Sequence, residues 1–201
     1  MKRTVIIISL GLIGAAALCW VSFGFNKRDK LVPYTIVLKA TDYDQRGIGH
    51  EAFSEVKYVS AHGNWRSVKS FRSGLALEQY ARVGHGIFTV DNKQKKMYFE
   101  SPYNPASTPQ SLTNRNYVRS EIVGGIRTNV LRSGTGDNYA ETFLAPELND
   151  DVIKTVLKSP AGTRVIEPVT ITRGEPVRGA FQHNEYEIDM TRDKRNLIVR
   201  H

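Results

Sequence analysis

The sequence predicts a mainly β (α+β) fold: a curved antiparallel sheet or half barrel with one or two short helices, preceded by an N-terminal signal or anchor helix. Three observations carry that expectation. Roughly ten short segments of alternating or apolar character follow one another, separated by Gly, Pro, Asn and Asp clusters. Helical spacing is nearly absent from the interior. An uncharged apolar run covers residues 5–25, behind Lys2 and Arg3 and ahead of Lys27 and Arg28.

That first run has two readings. A short basic start, an apolar stretch and the small residues Ala15, Ala16 and Ala17 suit a cleaved export signal. The whole run also reaches the roughly 20 residues that span hydrocarbon, with Trp20, Phe23 and Phe25 placed as an interfacial aromatic end. Leu18 before Cys19 does not suit lipidation. The division expected is therefore 1–26 as signal peptide or membrane anchor and 31–201 as one β-rich domain, exported to the periplasm or anchored in the inner membrane facing it.

Residues 31–39 read as a first strand, 40–50 as a loop, and 51–61 as a second strand with a bulge or irregularity. His62, Gly63 and Asn64 supply turn chemistry before an alternating strand at 65–71. Residues 75–83, LALEQYARV, have helical spacing through Leu75, Leu77, Tyr80 and Val83 and predict the interior helix. A hairpin follows over 87–99, turning at Asp91, Asn92 and Lys93. Residues 101–116 hold three prolines and one aromatic, Tyr103, and read as a long excursion.

The second half opens with strands at 118–123 and 127–132 around Gly124 and Gly125, and a turn at 133–138. Two alternating runs within 139–159 flank a loop that opens on Pro146 and closes on Asn149, Asp150 and Asp151, predicting a wide hairpin. A strand at 163–172 stops at Gly174, Glu175 and Pro176. Residues 177–184 read as one helical turn carrying Phe181, and 186–190 and 197–199 as final strands.

Composition excludes more than it assigns. The 201 residues carry a formal charge of +8, or 8 − 2 = +6 without Lys2 and Arg3, and the cations are dispersed apart from Lys93, Lys95 and Lys96. Trp65 to Arg72 interleaves basic and aromatic residues, but an alternating strand with its aromatic side buried gives the same pattern, so no nucleic-acid partner is expected. Cys19 is the single cysteine, which leaves the 31–201 domain without a disulfide, a thiolate metal site or a catalytic thiol. His50, His62, His85, His183 and His201 lack metal-binding spacing, and all but the last read as turn residues. No metal and no cofactor are expected. Glu141, Glu147 and His183 are the residues nearest to acid–base candidates, and no motif joins them.

The order of pieces from Ile122-Val123-Gly124-Gly125, through Glu141-Thr142-Phe143-Leu144-Ala145-Pro146-Glu147-Leu148, to Gly174-Glu175-Pro176 and Phe181 resembles uncharacterised bacterial envelope proteins. These are distantly similar to the LolA and LolB lipoprotein carriers. The resemblance implies a curved sheet over an apolar cavity and, at the level of fold alone, binding of a lipid or lipidated partner. The residues expected to line such an interior are Trp65, Phe71, Tyr80, Phe88, Phe99, Phe143, Leu144, Val156 and Ile171; core packing explains the same residues. The expected protein is a non-enzymatic envelope component with the membrane as partner through its N-terminal segment. The alternatives are a tethered structural or sensory module without a cavity, and a hydrolase of unrecognised site. Oligomeric state is left open.

Overall fold

A computed structural model describes residues 31–104, 116–183 and 185–190. The sheet belongs to the unit that begins at Val32. The apolar run at 5–25, most of the 101–116 excursion, Asn184 and the strand expected at 197–199 lie outside the described residues. Among the described residues no helix is long and apolar enough to cross a membrane.

Among the described residues twelve strands form one open, curved sheet. In chain order they are β1 (Tyr34–Tyr43), β2 (Gly49–Val59), β3 (Trp65–Phe71), β4 (Ala76–Arg82), β5 (Gly86–Asp91), β6 (Lys96–Ser101), β7 (Asn116–Val123), β8 (Ile126–Thr135), β9 (Asn138–Ala145), β10 (Asp151–Ser159), β11 (Gly162–Arg173) and β12 (Glu187–Asp189). The spatial order is β12-β6-β5-β4-β3-β2-β1-β11-β10-β9-β8-β7. Two antiparallel meanders, β1–β6 and β7–β11, therefore meet along a β1–β11 seam running from Tyr34↔Arg173 to Tyr43↔Thr163. β12 adds in parallel beside β6. This leaves β7 and β12 at the two ends.

Short alternating strands joined by tight turns produce meanders because each strand buries one face and needs a neighbour for its backbone groups. The β7–β8 hairpin is an instance. Gly124 and Gly125, at φ 57° and 79°, form a two-residue turn whose twist matches that of the strands and which residues with a Cβ rarely adopt.

The two faces carry separate cores. The larger gathers Tyr34, Ile36, Val130, Phe143, Leu148 and Ile153, all at or below 1% exposure, with Trp65, Val156, Ile166 and Ile171 packed against them. The smaller gathers Tyr80, Phe88, Val90 and Met97, with Phe99, Phe181 and Tyr186 against them. Ala81 pairs with Trp65 of the first core, while its neighbour Tyr80 belongs to the second. Successive strand residues point to opposite faces, so the second core lies on the reverse of the sheet, covered by the C-terminal segment.

Residues 139–159 form the expected hairpin, and its loop is a latch. Pro146–Leu148 is a 3-10 turn that buries Leu148 completely. Asn149 and Asp150 follow at φ 65° and 59°, a conformation that Asn and Asp tolerate better than most residues. Asn149 then accepts from the Val32 amide at 2.8 Å and donates to its carbonyl at 3.0 Å. Asp151 accepts from the Tyr34 hydroxyl and from Lys57 Nζ at 2.5 Å, tying β10 to β1 and β2. Lys57 lies 6.0 Å from the Trp65 ring, and Tyr103 meets the same ring edge-on at 6.3 Å while donating to the Gly63 carbonyl at 2.8 Å.

Three local expectations are corrected. Residues 75–83 are not a helix but contain strand β4, which is hydrogen-bonded to β3 and β5 and has Glu78 and Tyr80 buried on one face. Pairing on both sides overrides a helical propensity worth only tenths of a kcal/mol per residue. Residues 177–183 are a chain of turns, with Gly179 at φ 98° interrupting any helical path. The loop expected at 40–50 shrinks to 44–48, because β1 and β2 both extend into it, with the pairing skipping Ala52.

Candidate functional site

A cleft of about 730 Å³ lies where β1, β2, β8, β9, β10 and β11 end together. Tyr43, His50, Tyr139, Leu157, Lys158 and Arg164 are among its walls. The β10–β11 turn is held close to β1: a Cβ on Gly162, at φ 148°, would stand 2.3 Å from the Tyr43 carbonyl oxygen. Arg164 grips Asp42 with two bonds of 2.6 and 2.8 Å, which hold the Asp42 carboxyl below the usual carboxylate range. Leu157 and Tyr43 remain 40% and 36% exposed.

From the cleft a ladder of charges and rings runs along β9. Tyr139, Glu141 and Phe143 alternate onto one face. The Tyr139 ring lies 4.0 Å from the Arg132 guanidinium and 5.8 Å from Lys158, and the Phe143 ring is approached by Lys154 at 4.9 Å and Arg119 at 5.8 Å. Glu141, 5% exposed, accepts two bonds of 3.0 Å from Arg119 and an ion pair of 3.0 Å from Arg132. The Arg119 bonds outweigh burial and hold its carboxyl below the usual range. A carboxylate so held anchors the strands and has no proton to give at neutral pH.

A second cleft of about 160 Å³ lies under the C-terminal segment, lined by Tyr80, Phe88, Met97, Phe181, Tyr186 and Ile188, with Arg82 and His85 exposed at its rim. Beside it, Glu78 is 3% exposed and serves three donors: His183 Nε2 at 2.7 Å, Arg66 Nε at 2.8 Å and Asn92 Nδ2 at 2.8 Å. Burial alone would raise its pKa, but these bonds overcome it and bring the carboxyl down to about 2. His183 stacks against Tyr80 at 5.1 Å, and its Nδ1 is buried without a partner. The Glu–His pair fastens the C-terminal segment to β3 and β4.

The nine residues expected to line one interior are divided by the fold. Trp65, Phe143, Val156 and Ile171 belong to the larger core and Tyr80, Phe88 and Phe99 to the smaller. Phe71 packs on Phe53 at 5.7 Å, and Leu144 belongs to neither core. Tyr80 and Phe88 border the small cleft, and none of the nine borders the large one. The histidines also differ from the turn reading: His50 sits in β2, and His183 is buried. Among the described residues no group of His, Cys, Asp or Glu could hold a metal ion. Glu147 pairs with Arg173 at 2.6 Å beside the latch.

The wall residues of the large cleft escaped sequence reasoning because three hairpin ends contribute to it, and none carries a motif. The one available signal was Leu157, an apolar residue between Thr155 and Lys158 on a strand whose apolar side is already supplied by Ile153 and Val156.

No protein-family model matches the chain, and no curated protein matches it. Among solved structures it is similar to MucB in complex with MucA(peri), at 13% identity and TM-score 0.45 over 83% of this chain and 59% of that one. It is also similar to PNGF-II, at 10% identity and TM-score 0.44, covering 83% of this chain and 33% of that one. A LolA superfamily protein from Nitrosomonas europaea is distantly similar, at 6% identity and TM-score 0.39 over 76% and 90%. The chain thus spans less than two thirds of the first protein and a third of the second. Likenesses this distant carry no inference about ligand or activity.

Proposed function

We propose that this is a non-enzymatic binding protein of the cell envelope that takes an amphiphile, a lipid or the lipid chain of a modified partner, in the large cleft. The observation that supports the reading is the cleft itself. Its 730 Å³ lies within the roughly 300–1,000 Å³ usual for ligand sites. Its walls combine the rings of Tyr43 and Tyr139 and the open Leu157 with Asp44 and with Lys158, itself 3.2 Å from Asp137, a lining that suits an apolar chain carrying a polar head. Phe143 and Val156 follow Tyr139 and Lys158 along β9 and β10 as core packing behind the cleft and do not line it. The remaining expected lining residues are likewise proposed as packing that keeps the sheet rigid. Residues 1–26 are proposed to export or tether the domain.

Native mass spectrometry of the full chain, released from gentle detergent, tests the reading. Co-purified lipid is expected on the wild type and loss of most of it from Leu157→Asp, since the substitution places a charge on an exposed wall residue without touching the core. A lipid-free mass across several preparations, or equal lipid on Leu157→Asp, overturns it.

A second reading, a tethered interaction module working through its surface, is favoured by one observation. The terminal strand β7 leaves Tyr117, Val118 and Ile122 exposed at 61%, 44% and 74%.

A further inference from the structure

β7 is the last strand of the sheet, and among the described residues nothing pairs with its outer edge. Its inner edge is bound to β8 through a hairpin closed by Val123 and Ile126. In a hairpin with a two-residue turn the closing residues form a hydrogen-bonded pair, and the pattern alternates from there. Glu121 and Arg119 therefore bond to β8, whereas the amides and carbonyls of Ile122 and Ser120 point away from the sheet. Bulges, charged residues and prolines are the usual protection of such an edge. Here a bulge falls between Tyr117 and Arg119, and the stretch beyond it, from Ser120 to Val123, has neither bulge nor proline.

The sequence of this edge is complementary to itself. When two β7 strands are laid antiparallel about a two-fold axis through Ser120, Arg119 of each faces Glu121 of the other, and Ile122 faces the bulge of the other copy, beside Tyr117. Shifting the axis to residue 119 sets Arg119 against Arg119, and shifting it to residue 121 sets Glu121 against Glu121. Each shift opposes like charges at the closest side-chain positions of an antiparallel pair, which is destabilising. The axis through Ser120 is thus selected by charge. Ser120 and Ile122 present their free backbone groups in the same register.

The faces agree as well. Arg119 and Glu121 project toward Glu141 and Lys154, since Arg119 bonds Glu141 at 3.0 Å and Glu121 lies 3.8 Å from Lys154. Val118 is the extra residue of the bulge, so Tyr117, Ser120 and Ile122 share the opposite face, where the Tyr117 hydroxyl meets Ser120 Oγ at 3.1 Å. There the apolar residues of the two copies would cover one another, which accounts for an isoleucine standing 74% exposed on an edge strand.

We propose that a second copy of this chain is the partner of β7, and that the two sheets join by antiparallel pairing centred on Ser120. The contact is one strand wide, so the association is weak and depends on concentration, as small interfaces are. It stands independently of the cleft and its ligand.

The test is sedimentation of the full chain in detergent over a range of concentrations, combined with hydrogen exchange at β7. A monomer–dimer equilibrium is expected, with the Ser120 and Ile122 amides becoming protected as the dimer forms, while the Glu121 amide is protected throughout. Ser120→Pro removes an outward amide that β8 does not use, a place where an edge strand tolerates proline. It should raise the dissociation constant by about tenfold or more, the loss expected for a backbone bond and its neighbour. Ile122→Lys adds an edge charge at an exposed position and should have the same effect while leaving the thermal midpoint nearly unchanged. A chain that stays monomeric at its highest soluble concentration overturns the proposal, as does a dimer that survives both substitutions or leaves the Ser120 amide exchanging freely.

Discussion

Replacing Glu78 by glutamine is the most searching perturbation of this structure, because one carboxylate joins four parts of it. Oε1 takes Arg66 from β3 and His183 from the C-terminal segment, and Oε2 takes Asn92 from the β5–β6 turn. Those bonds lower the carboxyl from an ordinary glutamate's 4.5 to about 2. A depressed carboxylate contributes stability that is complete above its unfolded pKa and is lost as pH falls through its folded one. At about 1.4 kcal/mol per unit, the shift amounts to about 3 kcal/mol at neutral pH and about 1 kcal/mol at pH 3. Glutamine stands in for the protonated form and cannot titrate. In urea unfolding of the full chain, Glu78→Gln should therefore be less stable than wild type by about 3 kcal/mol at pH 7, and the gap should close by about 2 kcal/mol at pH 3. All other carboxylates are common to both proteins and cancel. A gap that is the same at both pH values would refute the assignment of this stability to the Glu78 charge.

Two further perturbations concern the latch and the larger core. Asp151→Asn leaves Lys57 without its counter-ion and weakens the bond from Tyr34, a residue 1% exposed, and should cost about 3 kcal/mol by the same unfolding measurement. Lys57→Met in that background should recover part of the loss by removing the orphaned cation, and no recovery would count against the ion pair as its source. Burial raises the Asp151 carboxyl, but Lys57 more than offsets it and holds it below an ordinary aspartate's 3.8; this contribution is therefore complete above that pH and fades below it. Phe143→Ala empties a site 1% exposed at the centre of the larger core and should cost about 3–5 kcal/mol; a loss below about 1 kcal/mol would mean that the core collapses around the gap.

The hairpin over residues 139–159 was legible because its pattern is local: alternation, proline and an Asn-Asp-Asp stop fall within a short stretch. The strand β4 was not, because Leu75, Leu77, Tyr80 and Val83 also fit a helical face, and Glu78 broke the rule that a charge marks the wet side. A carboxylate can be buried here only because Arg66, Asn92 and His183 reach it, and those partners lie 12, 14 and 105 residues away. The same distance effect hid the division of the aromatic residues between two faces. Sequence marks Trp65 and Tyr80 alike as buried-side residues, one on a strand and one on an expected helix, and only the register of β3 with β4, Trp65 opposite Ala81, puts them on opposite faces. The large cleft is assembled from three hairpin ends, so it has no continuous signature at all.

The β1–β11 seam has a consequence for how the chain assembles. Each meander can zip strand by strand with short loops, but the seam joins Tyr34 to Arg173, so its closure must wait for nearly the whole described chain. Distant pairings of this kind slow folding, since the entropy of closing the loop is lost before contacts repay it. Until β11 arrives, β1 is an open edge with the apolar sequence Tyr-Thr-Ile-Val-Leu, interrupted first at Lys39. The Asn149 and Asp151 latch closes over the same end of β1, binding Val32 and Tyr34. The hairpin of residues 139–159 thus acts in time as well as in space, covering the start of the strand that stays exposed longest.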